Sequence, residues 1–150
     1  MIEPIRLSLE VDCTPAEAFA LWTSHTSLWW PPSHKTSGDP EASVHFESRV
    51  GGRVFERARD GREVDWGEVL IWDPPRTLSY LWHIATVRAD ATVVRIAFTP
   101  LEADRTRIEI EHGGWEQLGS KGAAWRERNT GGWRGVLPVF QDACRNRTWP

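Results

Sequence analysis

The chain has 150 residues, with Trp 10 against Phe 5 and Tyr 1, 40% hydrophobic and 26% charged residues, and a formal net charge of −3. That size and composition describe one globular domain with a full core. No apolar run approaches the roughly 20 residues needed to span a bilayer. The start of the chain lacks a signal-peptide pattern, and the mild acidity lacks the basic footprint of a nucleic-acid binder. Neither a membrane nor a nucleic acid is therefore expected as a partner.

Ile5, Leu7, Leu9 and Val11 alternate with polar residues, the pattern of a half-buried strand. Thr14-Pro15-Ala16-Glu17 is a capping box with proline at the first helical position, and the helix it opens carries Phe19, Ala20 and Trp22. A second short helical piece is expected around Leu28-Trp29-Trp30, stopped by Pro31-Pro32. Residues 31–42 are rich in Pro, Ser, Gly and Asp, long enough to form a lid.

From Ser43 the period becomes two, with Val44 and Phe46 opposing His45 and Glu47. Gly51-Gly52 turns the chain into a return strand over Arg53–Ala58, and Asp60-Gly61 turns it again. Val64–Trp72 is apolar on both faces, so its inward side is not assignable. After Asp73-Pro74-Pro75, Leu78, Tyr80 and Trp82 share one strand face. Thr92–Thr99 and Thr106–His112 follow, the latter with Ile108, Ile110 and His112 on one side. Beyond Gly113-Gly114 the spacing of Trp125, Asn129, Trp133, Val136, Leu137, Phe140 and Cys144 predicts a long C-terminal helix. Gly131, Gly132 and Gly135 are poor helix residues and Pro138 removes a helical hydrogen bond. They read either as a tolerated kink or, with three glycines near Trp133, as space between helix and sheet where a ligand could lie.

The expected architecture is α+β: six to seven antiparallel strands curved around the long helix, with one or two short helices after the first strand, all in a single domain over 1–150.

An ordered set of motifs runs along this framework. It comprises Ala18-Phe19 to Leu21-Trp22-Thr23, Trp29-Trp30-Pro31, Gly51-Gly52, Trp66-Gly67-Glu68-Val69-Leu70 and Trp72-Asp73-Pro74-Pro75. Leu78, Trp82 and Thr106 continue it, and His112-Gly113-Gly114-Trp115-Glu116 and Gly132-Trp133 to Leu137 close it. The set resembles the activator-of-Hsp90-ATPase-like family of the START-like (Bet v 1-like) superfamily over nearly the whole chain. The resemblance implies a helix-grip fold with a cavity between the long helix and the sheet. The superfamily hosts lipid carriers, hormone receptors and polyketide cyclases, so fold alone does not decide function. The cochaperone that gives the family its name contacts Hsp90 through a charged surface and a second domain, and no counterpart of either is seen here. Most of the tryptophans fall on the family pattern, leaving Trp125 and Trp149 as extras.

No HExxH, GxSxG, P-loop or GxGxxG pattern is present, so no cofactor, metal or catalytic residue is assigned. His25 and His34 lack metal-ligand spacing, and His45 falls on a polar face. Cys13 and Cys144 stand far apart in sequence without CxxC spacing, which argues against a zinc site or disulfide framework and fits a reducing cytoplasm. Arg outnumbers Lys 16 to 2, and some arginines are expected to shield indole edges.

The expected function is binding of an apolar or aromatic small molecule between sheet and helix. The candidate residues are Phe46, Tyr80, Trp82, Ile108, His112, Trp133 and Leu137, with Trp29 and Trp30 near the entrance. Tyr80 and His112 would orient the ligand, or act as acid and base in a cyclase or hydrolase; His112 alternatively reads as a buried histidine satisfied by a backbone carbonyl or a neighbouring hydroxyl. A third reading is a chaperone-associated interaction module, and a homodimer through a sheet edge is compatible with the fold.

Overall fold

A computed structural model describes residues 1–146. Trp149 lies outside the described residues. The elements are β1 (Ile5–Val11), α1 (Pro15–Thr23), β2 (Ser43–Phe46), β3 (Arg53–Arg57), β4 (Glu63–Asp73), β5 (Thr77–Trp82), β6 (Thr92–Leu101), β7 (Arg105–Gly113) and α2 (Gly122–Asn146). The strands form one antiparallel sheet in the order β1-β7-β6-β5-β4-β3-β2. Only the step from β1 to β7 departs from a simple meander, and α1 with its following turns fills the interval between β1 and β2.

The capping box forms as the sequence predicts: Glu17 N–H donates to Thr14 Oγ1 at 3.2 Å and Thr14 N–H to Glu17 Oε1 at 2.9 Å. Two of the helix's orphan donors are thereby satisfied. Trp29 and Trp30 are not themselves helical. The short 3₁₀ turn falls slightly earlier, at Thr26–Leu28, and another follows at Pro32–His34. A further 3₁₀ turn over Trp115–Lys121 leads into α2, which runs 25 residues through Pro138.

The ambiguous strand β4 owes its two-faced pattern to irregular pairing. Its register shifts against β3 between Val54 and Phe55 and against β5 between Val69 and Ile71. Each shift changes which parity points inward. Trp66 and Val69 are consequently both buried at a spacing of three. Gly67 sits between them with its α-carbon against the neighbouring strand, where a Cβ would overlap the Leu81 carbonyl oxygen.

The helix α2 lays Trp133, Val136, Phe140 and Cys144 on the sheet, all buried. It is tied to the residues before β1 by Arg126 Nε donating to the Glu3 carbonyl at 2.6 Å, and to β1 by Gln141 Nε2 donating to the Glu10 carbonyl at 2.8 Å. The two cysteines, distant in sequence, meet in this interface: both are fully buried and their thiols hydrogen-bond to one another. On the outer face Phe55 is covered by the guanidinium of Arg53 at 4.1 Å and that of Arg57 at 5.2 Å, while His45 stacks on it at 5.0 Å. His45 is therefore half-buried rather than solvated. The expected shielding of an indole by arginine occurs at Trp125, beneath Arg128. Among the described residues no helix is long and apolar enough to cross a membrane.

Candidate functional site

The space between α2 and the sheet is filled mainly by aromatic rings. Trp22 packs on Trp29 (centroids 5.0 Å), on Phe140 (4.9 Å) and on Trp133 (6.1 Å). Trp30 continues the series to Trp66 (5.2 Å) and Trp82 (5.9 Å), and Tyr80 joins Trp82 (5.5 Å) to Phe46 (5.3 Å). Large rings in offset and edge-on contact bury much area and add pairwise quadrupole attraction. They also leave little room.

The room that remains is a slot of about 50 Å³, lined by Trp30, Trp82, Trp133, Ile84, Val136 and Gly132, with His34 and Asn129 as its polar groups. No atom lies within 4 Å of where a Cβ on Gly132 would sit, so this glycine keeps the slot open. Gly135 plays the opposite part: the His34 ring occupies the space a side chain would need, 2.9 Å from the Cβ position. The glycines of α2 thus do not act together, and only Gly132 leaves space toward the sheet. A smaller hole of about 10 Å³ shares Trp82, Ile84 and Asn129 as walls and is also lined by His83. His83 Nδ1 is the one buried side-chain polar atom without a hydrogen-bond partner among the described residues. Desolvation lowers the pKa of His83. A broader, open depression of about 740 Å³ lies on the outer face of the sheet over Arg6, Arg95, Arg107, Glu109 and Glu111. Its lining carries both signs of charge, as expected of a solvated cross-strand face.

Of the residues expected at the site, Trp30, Trp82 and Trp133 meet at the slot. Trp29 lies behind Trp30, with its indole N–H donated to the Leu21 carbonyl at 2.8 Å. Phe46 packs against Tyr80 away from the slot. Ile108 pairs with Phe98 across the sheet, and Phe98 in turn touches Phe19 of α1. Leu137 is half-buried on α2 and does not line the slot. His34, Ile84, Asn129, Gly132 and Val136 complete the lining. Asn129 and Val136 were legible as members of the α2 stripe; Ile84 and His34, in irregular segments, carried no such signal.

His112 sits behind Trp133, fully buried. Its Nδ1 accepts the Trp133 indole N–H at 3.0 Å, so the neutral ring carries its proton on Nε2. That proton is directed to Thr92 Oγ1 at 2.7 Å, whose hydroxyl can in turn reach the Trp82 carbonyl at 3.4 Å. Burial lowers the His112 pKa to about 3. Tyr80 lies on the same cross-sheet row but is separated from His112 by Val94. Two strand spacings, about 10 Å, stand between them. The Tyr80 oxygen instead accepts the Trp22 indole N–H, and burial pushes the Tyr80 pKa upward.

A titratable group that the periodic reading passed over is Glu56. It points inward from β3, fully buried. Its carboxylate accepts from Thr36 N–H at 2.7 Å, Thr36 Oγ1 at 3.1 Å and Ser37 N–H at 3.0 Å. Strand alternation with Val54 was its available signal, masked by the apolar Phe55 beside it.

A family model described as Activator of Hsp90 ATPase homolog 1-like protein matches residues 12–143. Among solved structures, an anthrahydroquino-γ-pyrone synthase, Txn09, is 34% identical, covering 82% of this chain and 84% of that one at a TM-score of 0.59. The self-sacrificing resistance protein CalC from Micromonospora echinospora is 25% identical over 97% of this chain and 96% of its own, at a TM-score of 0.70. The Aha1 dimer from Colwellia psychrerythraea shares the fold at 17% identity, covering 96% of each chain with a TM-score of 0.64. No curated protein sequence matches the chain. With the helix gripped by a seven-stranded sheet and the family match spanning most of its length, the chain belongs to the Activator of Hsp90 ATPase homolog 1-like family.

Proposed function

We propose that this protein binds a planar aromatic small molecule between α2 and the sheet, in a cytoplasmic setting. The observation that carries the reading is the slot itself, walled by the indoles of Trp30, Trp82 and Trp133 and held open by Gly132. Flat π-faces with few polar groups suit a flat apolar ligand, and His34 and Asn129 offer hydrogen bonds to a polar substituent. The relative named as an anthrahydroquino-γ-pyrone synthase supports the same class.

A second reading, an enzyme of the polyketide cyclase type on the same slot, draws on the 34% identity to a synthase. His112 and Tyr80 are poorly placed for proton transfer, since each is buried and already hydrogen-bonded. His34, half-exposed at the slot, is the better candidate for an acid or base. Were a second copy to add to the sheet, the available edges are β1 and β2.

Native mass spectrometry of the purified protein, followed by tryptophan fluorescence and melting with polycyclic aromatic ligands, tests the binding reading. A bound ligand should quench fluorescence and raise the melting temperature, and Gly132→Leu, which fills the slot, should abolish both effects. Absence of any co-purified or added aromatic ligand that does so overturns it. Turnover of a bound aromatic polyketide that His34→Ala abolishes, with affinity retained, would favour the enzyme.

A further inference from the structure

The slot of about 50 Å³ is several-fold smaller than the roughly 300–1,000 Å³ of ordinary small-molecule pockets. What narrows it is the segment from Trp29 to Ala42. Its two tryptophans are wedged between the layers, Trp29 against Phe140 of α2 (4.9 Å) and Trp30 against Trp66 and Trp82 of the sheet. Its His34 ring lies in the notch left by Gly135. The ring's hydrogen bond is to the hydroxyl of the adjacent Ser33, so it is seated on the helix by shape.

Beyond these two tryptophans the fastening of the segment is polar. Thr36 and Ser37 supply the three donors that reach the buried Glu56 carboxylate, and Trp66 Nε1 donates to Thr36 Oγ1 at 2.9 Å. No cation pairs with Glu56 among the described residues. Farther along, Asp39 accepts the Arg59 backbone N–H at 2.8 Å and pairs with its guanidinium at 3.0 Å. A buried carboxylate without a cation is a costly way to hold a loop, and an apolar contact would hold it more firmly. Hydrogen bonds, however, exchange with water at a small net cost, larger for those to a carboxylate than for neutral pairs. A fastening built from them opens when water reaches it. Glu56 is thus satisfied when the segment is down and hydrated when it is up.

We propose that residues 30–42 are a displaceable gate over the aromatic slot and that Glu56 is its latch. The proposal rests on the binding reading given above and deepens it: ligand reaches the slot after the gate lifts, carrying Trp30 and His34 away from the wall. Gate opening, not encounter, then limits association.

The test combines amide exchange with stopped-flow binding of N-phenyl-1-naphthylamine, a neutral aromatic fluorophore. In the native protein the association rate should level off as probe concentration rises, at the opening rate. Glu56→Gln turns an amide donor toward the Thr36 and Ser37 N–H groups, and should raise that plateau and the exchange rates of those amides by at least tenfold. Exchange in β6 and β7 should be unchanged. Gly135→Ala unseats His34 without touching Glu56 and should act in the same direction, which covers the case in which the first variant does not fold. Native exchange rates at Thr36 and Ser37 in both variants overturn the gate. So does a binding rate that rises linearly with probe and is equal in all three proteins, which leaves the binding reading standing. Faster exchange in both variants with no probe binding to any of them supports the latch and defeats the binding reading alone.

Discussion

The Trp133 indole donates to His112 Nδ1 across 3.0 Å, and this bond joins α2 to β7 at the centre of the layer interface. It requires a neutral imidazole, because a protonated ring has no lone pair for the indole to reach. The His112 ring is therefore a fixed acceptor toward the helix and a fixed donor toward Thr92.

The pH dependence follows from that state. His112 has its pKa lowered from 6.5 to about 3, so below pH 6.5 the unfolded chain binds a proton that the folded chain refuses. Its contribution to stability is complete above pH 6.5 and is lost as pH falls toward 3, by roughly 1.4 kcal/mol per unit. Asp39, its pKa lowered to about 2 chiefly by the Arg59 backbone N–H, adds a loss of the same sign in a separate window, between pH 3.8 and 2. Urea melts from pH 7 to 4 should show the first slope. Ring ¹⁵N shifts of His112 should stay those of the Nε2–H tautomer down to pH 4.5; titration near 6.5 would contradict the assignment.

His112→Leu removes the acceptor while keeping an apolar side chain. The Trp133 N–H is left buried without a partner, and the variant should lose about 1–3 kcal/mol at pH 7. Between pH 6 and 4 the same variant should show a flatter stability profile than the native protein. A loss below 0.5 kcal/mol with an unchanged profile would mean that the indole finds another acceptor.

The glycines separate into opposite classes. Gly131 lies in α2 with no atom within 4 Å of its Cβ position, so Gly131→Ala should stabilise by about 0.5–1 kcal/mol through helix propensity. Gly67→Ala would drive its methyl into the Leu81 carbonyl and part β4 from β5. It should cost several kcal/mol or prevent folding. Thermal melts of the pair give the comparison, and equal effects of one sign would contradict the packing described.

Cys13 and Cys144 should be inert in the folded state. Their mutual hydrogen bond, burial and the carboxylates of Glu17 and Asp12 push the Cys144 thiol well above its ordinary pKa. Since the thiolate is the reactive form, a chromogenic disulfide reagent at pH 8 should label neither thiol until denaturant is added. Rapid labelling of one thiol in native conditions would show that the α2 terminus opens.

Much of the framework was legible because it rests on local chemistry. The capping box at Thr14 and Glu17, the alternation in β1, β5 and β7 and the stripe on α2 are short-range patterns that each element enforces on itself. The motif order carried the family. Parity in β4 was not legible, because its bulges depend on how β3 and β5 pair with it. The pairing of Cys13 with Cys144, and the setting of His34 against Gly135, were not legible for the same kind of reason: segments far apart in the chain supply the two sides.

The excess of tryptophan is the clearest case of this division. Sequence alone determined that these rings belong inside, on strand and helix faces whose periodicity buries them, since apolar area leaves water wherever it can. Tertiary structure decided which rings pack together and which border an open slot. Trp22, Trp29 and Trp66 became core, whereas Trp30, Trp82 and Trp133 line the slot, because a ring's neighbours depend on how the helix, the sheet and the 29–42 segment close upon one another.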